Sequence, residues 1–141
     1  MNVDASIADD DLIAAFESAA LPAEGWNHRA HVRVAFILAR RECDFTTAIA
    51  RMRAGLYALN IAHCVPDEPS RGYHETITVA FMRLIYAACA RQLCPSSVDF
   101  CERHPELLKK DALLAYFSPE RLASTGAKVL FIEPDLKPLP S

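Results

Sequence analysis

The sequence has little glycine, no long apolar run and no excess of charge of one sign. Only four of its 141 residues are glycine, and arginines interrupt the apolar stretches, so no segment of about 20 residues is suited to span a bilayer. Fifteen Lys and Arg residues stand against eighteen Asp and Glu residues, for a formal net charge of −3. This balance gives no electrostatic footprint for nucleic acid or for an anionic membrane. The sequence therefore predicts neither a membrane protein nor a nucleic-acid partner.

Motifs of several enzyme classes are also missing. The chain contains no G-x-S-x-G, no G-x-G-x-x-G, no Gly-rich phosphate loop, no EF-hand loop and no His-Asp dipeptide of the kind found in metal phosphohydrolases. The first residues, MNVDASIADDD, lack the positive start and apolar core of a signal peptide. The five cysteines form no C-x-x-C pair and are odd in number, which predicts free thiols in a reducing cytoplasm.

What is abundant is helix-forming material, because Ala, Leu and Arg recur in helical patterns. The sequence predicts an all-α fold in a single domain over 1–141. We expect an antiparallel bundle of four main helices, then short C-terminal helices and an extended Pro-rich tail. The main helices are expected from the Asp9–Asp11 cluster onward, at 27–42, at 44–62 and at 74–93, with Asn27 and Asp44 as N-caps. Shorter helices are expected at 97–102, 105–117 and 119–123, a short strand or extended segment at 129–132, and the tail at 133–141.

The helical periodicity predicts that the two histidines of the second helix face the core. Arg29, Arg33 and Arg40 fall on one stripe, which is the expected solvent face, and His28 and His31 lie on the opposite side. Residues three apart are neighbours on a helix surface, so these two imidazoles are expected to reach one point.

The third and fourth helices are expected to bring further polar groups to the same end of the bundle. His74 lies opposite a polar side marked by Thr76 and Arg83, and Asn60 and His63 continue the apolar stripe of the third helix. Because short loops make consecutive helices antiparallel neighbours, the ends carrying these residues meet. Four of the five histidines are therefore predicted to gather at one end.

Buried imidazoles and a carboxylate need partners, and a divalent metal ion is one answer. We predict Zn²⁺ or Fe²⁺ held by His28, His31 and His74, with Glu75 or His63 as fourth ligand or general base. Such a set leaves a position open for water or substrate, as catalytic sites do. The competing interpretation is structural, because His28 and His74 sit in first turns, where polar side chains cap backbone amides.

Other side chains near the proposed metal are suited to contact a small organic ligand. A guanidinium in the loop before the fourth helix would bind a carboxylate or phosphate, and two aromatic rings flank the histidines. The expected substrate-binding residues are Arg71, Trp26, Tyr73 and Asn60.

Two functions of different classes follow. The first is a small metal-dependent enzyme that acts on a small organic molecule, including an anionic one, by a hydrolase, lyase or O₂-dependent reaction. The second is a non-catalytic ligand-binding or interaction module, in which the histidines and Asn60 form a buried hydrogen-bond network.

Three segments together resemble a family of small bacterial helical proteins with no assigned activity. They are Trp26-Asn27-His28-Arg29-Ala30-His31, Gly72-Tyr73-His74-Glu75-Thr76-Ile77-Thr78 and Glu133-Pro134-Asp135-Leu136-Lys137-Pro138-Leu139, which match W-x-H-x-A-H, G-Y-H-E-T-x-T and E-P-D-L-x-P-L elements in the same order. The resemblance runs from about residue 16 to 139. It implies no reaction, but it implies that the tail belongs to the folded unit and that both histidine elements are signature features.

Overall fold

The computed structural model describes residues 7–140, and within that range it contains seven α-helices and no strand. The helices are α1 (Asp9–Glu17), α2 (His28–Arg41), α3 (Phe45–Ala62), α4 (Glu75–Arg91), α5 (Ser97–Arg103), α6 (Pro119–Leu122) and α7 (Thr125–Val129). Three 3-10 turns cover Ala23–Gly25, Pro105–Leu108 and Ala112–Ala115. The predicted all-α class is confirmed for this part of the chain. The expectations for residues 1–6 and for residue 141 lie outside the described residues.

The C-terminal third differs from two predicted elements, wholly in the first case and partly in the second. The helix expected at 105–117 is a pair of short 3-10 turns, because the backbone leaves helical geometry at Lys109 with φ −83° and ψ 130°. Of the short strand or extended segment expected at 129–132, no strand forms and Val129 is the last residue of α7, but the backbone is extended at Leu130, with φ −136° and ψ 154°. Between residues 7 and 140, no helix is long and apolar enough to cross a membrane.

Side-chain caps set the starts of the three long helices. The Asn27 side chain accepts a hydrogen bond from the Ala30 amide at the start of α2, and the Asp44 carboxylate accepts one from Thr47 at the start of α3. Both predicted N-caps are confirmed. At α4 the cap is His74, whose Nδ1 accepts from the Ile77 amide.

Helix α2 lies at the centre of the fold and packs against α1, α3, α4 and α5. Its predicted solvent face is exposed at Arg40, but the expectation for Arg33 is wrong, because this side chain is only 1% exposed. The Arg33 Nε donates to Ser97 Oγ at 2.7 Å, and its guanidinium forms an ion pair with Asp9 at 3.3 Å. Asp9 in turn accepts from the Ser97 amide and hydroxyl. These polar partners from α1 and α5 offset the cost of burying the charge.

The segment after α7 forms neither helix nor strand up to residue 140, yet it is bonded to the helices. Thr76, at the start of α4, is fully buried; its hydroxyl donates to the Leu130 carbonyl and accepts from the Ile132 amide. Its predicted place on the solvent side is therefore wrong. The Arg83 guanidinium lies 4.8 Å from the centre of the Phe131 ring. The segment thus covers the side of α4 for which the sequence predicted exposure.

Candidate functional site

A cavity of about 50 Å³ lies where α2, α3 and α4 meet, and two of the predicted histidines line it. That volume corresponds to roughly four water-sized spheres. The cavity wall is made of apolar side chains, two imidazoles, a hydroxyl and two thioethers. Its lining residues are His28, His31, Val32, Ala35, Met52, Ile77, Thr78, Phe81, Met82 and Ile85.

His28 is oriented by one hydrogen bond and one ring contact. Its Nε2 donates to the Leu107 carbonyl oxygen at 2.9 Å, so this nitrogen carries a proton. The ring meets the Phe81 ring edge to face, with centroids 5.1 Å apart. Its Nδ1 has no hydrogen-bond partner in the part of the chain that the structure describes. In the neutral imidazole this nitrogen therefore offers a lone pair.

His31 is oriented by aromatic stacking. Its ring stacks on Trp26 with centroids 5.4 Å apart, and Trp26 stacks on Phe16 at 5.6 Å. From residue 7 to residue 140, no group hydrogen-bonds to either ring nitrogen of His31. Burial, and secondarily the positive charge that His28 can carry, lower the pKa of His31 from 6.5 to about 4. His31 is therefore neutral near pH 7, and its ring centroid lies 6.5 Å from that of His28.

His74 does not line this cavity, and both of its ring nitrogens are engaged by the backbone. Nδ1 accepts from the Ile77 amide at 3.1 Å, and Nε2 donates to the Leu122 carbonyl oxygen at 2.9 Å. The first bond caps α4 and the second ties α4 to the end of α6. Burial is the main cause that lowers the pKa of His74. His74 therefore caps a backbone amide, which is the role that the structural interpretation of the sequence gives it.

The two candidates for proton transfer are likewise bonded to other groups. His63 is the C-cap residue of α3. Its Nε2 donates to the Leu21 carbonyl oxygen at 2.7 Å. Glu75 accepts two hydrogen bonds from Arg53, at 2.8 and 3.2 Å, and one from the Tyr73 hydroxyl at 2.5 Å. Although burial acts to raise it, these bonds from Arg53 and Tyr73 hold the pKa of Glu75 below its ordinary value. Neither side chain lines the cavity.

The four residues expected to contact substrate lie in different parts of the structure. Trp26 supports His31 from behind the cavity. Tyr73 stacks on Tyr57 at 4.7 Å, and burial raises its pKa to about 12, so its hydroxyl stays a donor. Arg71 is exposed in the loop before α4, where its backbone pairs with that of Glu68.

Asn60 is the fourth of these residues, and it does not join the histidines. The hydrogen bond at this position is made by its backbone carbonyl, which accepts from the Val65 amide. For the residues that the structure describes, the expected network of histidines with Asn60 is therefore not formed.

The structure thus brings together two of the three predicted metal ligands. His28 and His31 share a cavity, while His74 has both nitrogens occupied elsewhere. Over residues 7–140, no group of three or more His, Cys, Asp or Glu side chains is placed to hold a metal ion. The arrangement offers two imidazoles within a mostly apolar wall, a donor set suited to one small ligand.

Sequence reasoning missed the opposite wall of the site. Met52 of α3, and Thr78 and Met82 of α4, line the cavity across from the histidines. All three side chains face the core and are at most 5% exposed, so the only signal available in the sequence is their inward direction. Because core packing gives the same signal, periodicity alone did not mark these residues as part of a site.

Models of protein families, curated proteins and solved structures yield no match to this chain.

Proposed function

We propose that this protein binds a ligand of a few heavy atoms in the cavity between α2, α3 and α4, in contact with His28 and His31. One observation carries the proposal: a mostly apolar cavity contains two imidazoles, and His31 has no hydrogen-bond partner between residues 7 and 140. Ligand sites commonly combine an apolar wall with few polar groups that fix orientation.

Size and charge define the ligand class. A volume of about 50 Å³ admits an ion or a molecule of a few atoms, and it is far below the roughly 300 Å³ at which pockets take drug-sized molecules. The described lining residues include no Asp, Glu, Lys or Arg, and the lowered pKa of His31 keeps that imidazole neutral near pH 7. The site is therefore suited to a neutral ligand or to an ion of low charge.

The ligand has a route from solvent, because the ring of His28 and the side chain of Ile77 are only partly buried. The same partial exposure makes the site accessible to titration with probes.

A test is to titrate the full chain with formamide, methanol, azide and Zn²⁺ while ring signals of the histidines are followed by NMR. We expect at least one probe to shift the signals of His28 and His31 and to leave those of His74 in place. The matched variant Ala35→Leu fills the cavity and should abolish the shift. If no probe moves either signal, or if all histidines respond alike, the proposal is wrong.

A metal-dependent enzyme is the second proposal, and the shared cavity of His28 and His31 is what favours it. Zinc or iron bound there would act as a Lewis acid on a small organic molecule. His74 and Glu75 are engaged elsewhere, so water or substrate would complete the coordination. Elemental analysis after reloading with Zn²⁺ or Fe²⁺ tests this: stoichiometric metal that is lost in His31→Phe supports it, and unchanged metal content contradicts it.

We further propose that α1 to α4 form the expected antiparallel bundle within a single domain. Support comes from contacts between opposite ends of neighbouring helices. Asp10, at the start of α1, pairs with Arg41, the last residue of α2. The Phe45 ring, at the start of α3, meets Tyr86 near the end of α4 at 5.1 Å.

A further inference from the structure

The walls of the cavity combine two kinds of donor that share a chemical preference. The imidazoles of His28 and His31 come from α2, and the thioethers of Met52 and Met82 come from α3 and α4. Both methionines are 1% exposed, so their sulfur-bearing side chains are buried in this region. Thioether sulfur is a soft ligand that selects Cu(I), and imidazole also binds copper. Four side chains from three helices thus present soft or borderline donors to one small space.

The lack of negatively charged side chains among the described lining residues favours a monovalent ion over a divalent ion in this cavity. No carboxylate or thiolate is found among the described lining residues, so a divalent ion would keep two uncompensated charges in a mostly apolar wall. Glu75, the carboxylate that the sequence analysis proposed for the metal site, forms an ion pair with Arg53 instead. A neutral ligand set holding a monovalent ion has half of that charge, so its desolvation cost is smaller.

Over the described part of the chain, both histidines have a free ring nitrogen, and His28 is oriented as metal-ligating histidines are. His28 donates its Nε2 proton to the Leu107 carbonyl, which fixes the tautomer and frees Nδ1. Backbone carbonyls that orient the far nitrogen of a ligating histidine are a regular part of metal sites. His31 has no competing hydrogen bond from residues 7–140, so no protein partner has to be displaced from its unprotonated ring nitrogen.

We propose that this cavity binds Cu(I), held by the imidazoles of His28 and His31 and by the thioethers of Met52 and Met82. The inference rests on the proposed function, since it names the ligand of the same cavity. It differs from the zinc or iron site of the sequence analysis in the ion, in the use of methionine and in the absence of His74 and Glu75 from the ligand set.

The experiment must remove competing thiolates, because Cys43 and Cys64 are exposed and Cys89 is half-buried. The full chain carrying Cys43→Ser, Cys64→Ser and Cys89→Ala is titrated anaerobically with Cu(I) against a chromophoric Cu(I) chelator. We expect one equivalent of Cu(I) to be withdrawn from the chelator, and X-ray absorption to show both nitrogen and sulfur neighbours. Failure to compete for copper overturns the inference.

Two sets of variants in this background identify the ligands. We expect His31→Phe to weaken Cu(I) binding by about 100-fold, at least as much as the loss of an outer-shell partner does. The double change Met52→Leu and Met82→Leu nearly conserves volume, and it should remove the sulfur neighbours and weaken binding. The control is His104→Gln, at a histidine outside the cavity, which should leave Cu(I) binding unchanged. Unchanged affinity in His31→Phe, or unchanged sulfur scattering in the double variant, overturns the proposal; if His31→Phe does not fold, the methionine variant decides.

The probe titration distinguishes this failure from that of the proposed function. If formamide, methanol or azide shifts the His28 and His31 signals while Cu(I) stays with the chelator, the cavity binds ligands and the copper inference alone is wrong. If neither the probes nor Cu(I) bind, both proposals are wrong.

Discussion

The two histidine elements of this protein use the same side chain in opposite ways. At the start of α2, Asn27 provides the cap, and His28 and His31 turn into a cavity where lone pairs remain unused by residues 7–140. At the start of α4, His74 is itself the cap, and its second nitrogen binds the Leu122 carbonyl. The first element thus leaves imidazole nitrogens available to a ligand, whereas both ring nitrogens of His74 in the second element are bonded to the backbone.

The difference follows from the residue that occupies the cap position. An asparagine before α2 satisfies the first-turn amide, which releases the next side chains for other contacts. No Ser, Thr, Asp or Asn directly precedes α4, where Gly72 and Tyr73 lead to His74, so the imidazole takes that role. A capping residue is a structural element, and the residues released by it are the better candidates for function.

The largest effect that separates the two elements is expected for His74→Ala. This change removes the helix cap and leaves the partly buried Leu122 carbonyl without its donor, so we expect a loss of about 3 kcal/mol of unfolding free energy. Urea unfolding followed by circular dichroism measures it. His74→Asn keeps a capping acceptor and should recover about 1 kcal/mol. A loss below about 0.5 kcal/mol, within the range of ordinary surface substitutions, would mean that His74 is not structural.

The N-caps could be predicted from sequence because they depend on residues three apart. The inward direction of His28 and His31 followed from helical periodicity in the same way. The burial of Arg33 and Thr76 could not be predicted, since their partners are Ser97 and Leu130, more than fifty positions away along the chain. Periodicity reports a polar side of a helix, and it does not report whether another segment covers that side with matching polar groups.

A pH titration of stability tests the lowered pKa of His31. Unfolding raises this pKa from about 4 to its ordinary value of 6.5, so the unfolded chain binds the extra proton below about pH 6.5. The contribution is fully present above that pH and is lost as the pH falls toward 4. We expect about 2 kcal/mol less stability at about pH 5 than at about pH 7 from this group. The lowered pKa of His74 adds in the same direction.

The matched variant for the pH test is His31→Phe, which removes the titrating ring and leaves His74 in place. Its stability should fall less steeply with decreasing pH than that of the natural chain. The chain contains one tryptophan, Trp26, and it stacks on His31, so its fluorescence should change with a midpoint near pH 4 in the natural chain only. A midpoint near pH 6.5 would show that burial does not perturb His31.

The aromatic stack behind the cavity is sensitive to packing at Gly55. A Cβ at this position would lie 2.1 Å from the Phe16 ring, far inside contact distance. Gly55→Ala therefore displaces Phe16, which supports Trp26 and through it His31. We expect a destabilisation of about 1.5 kcal/mol, the net of overpacking and the better helix propensity of alanine. The measurement is chemical unfolding together with Trp26 fluorescence, and an unchanged emission spectrum would contradict the proposed link to His31.

The smallest expected change in stability is that of His31→Phe at neutral pH, and it gives the sharpest contrast with His74. Phenylalanine preserves the stacking on Trp26, and between residues 7 and 140 the imidazole has no hydrogen bond to lose, so stability should change by less than about 1 kcal/mol. The same variant should abolish the response of the site to probes. Thermal unfolding and the NMR titration measure the two properties on one sample. A large loss of stability with retained ligand binding would reverse the assignment, because His31 would then serve the fold, as His74 does.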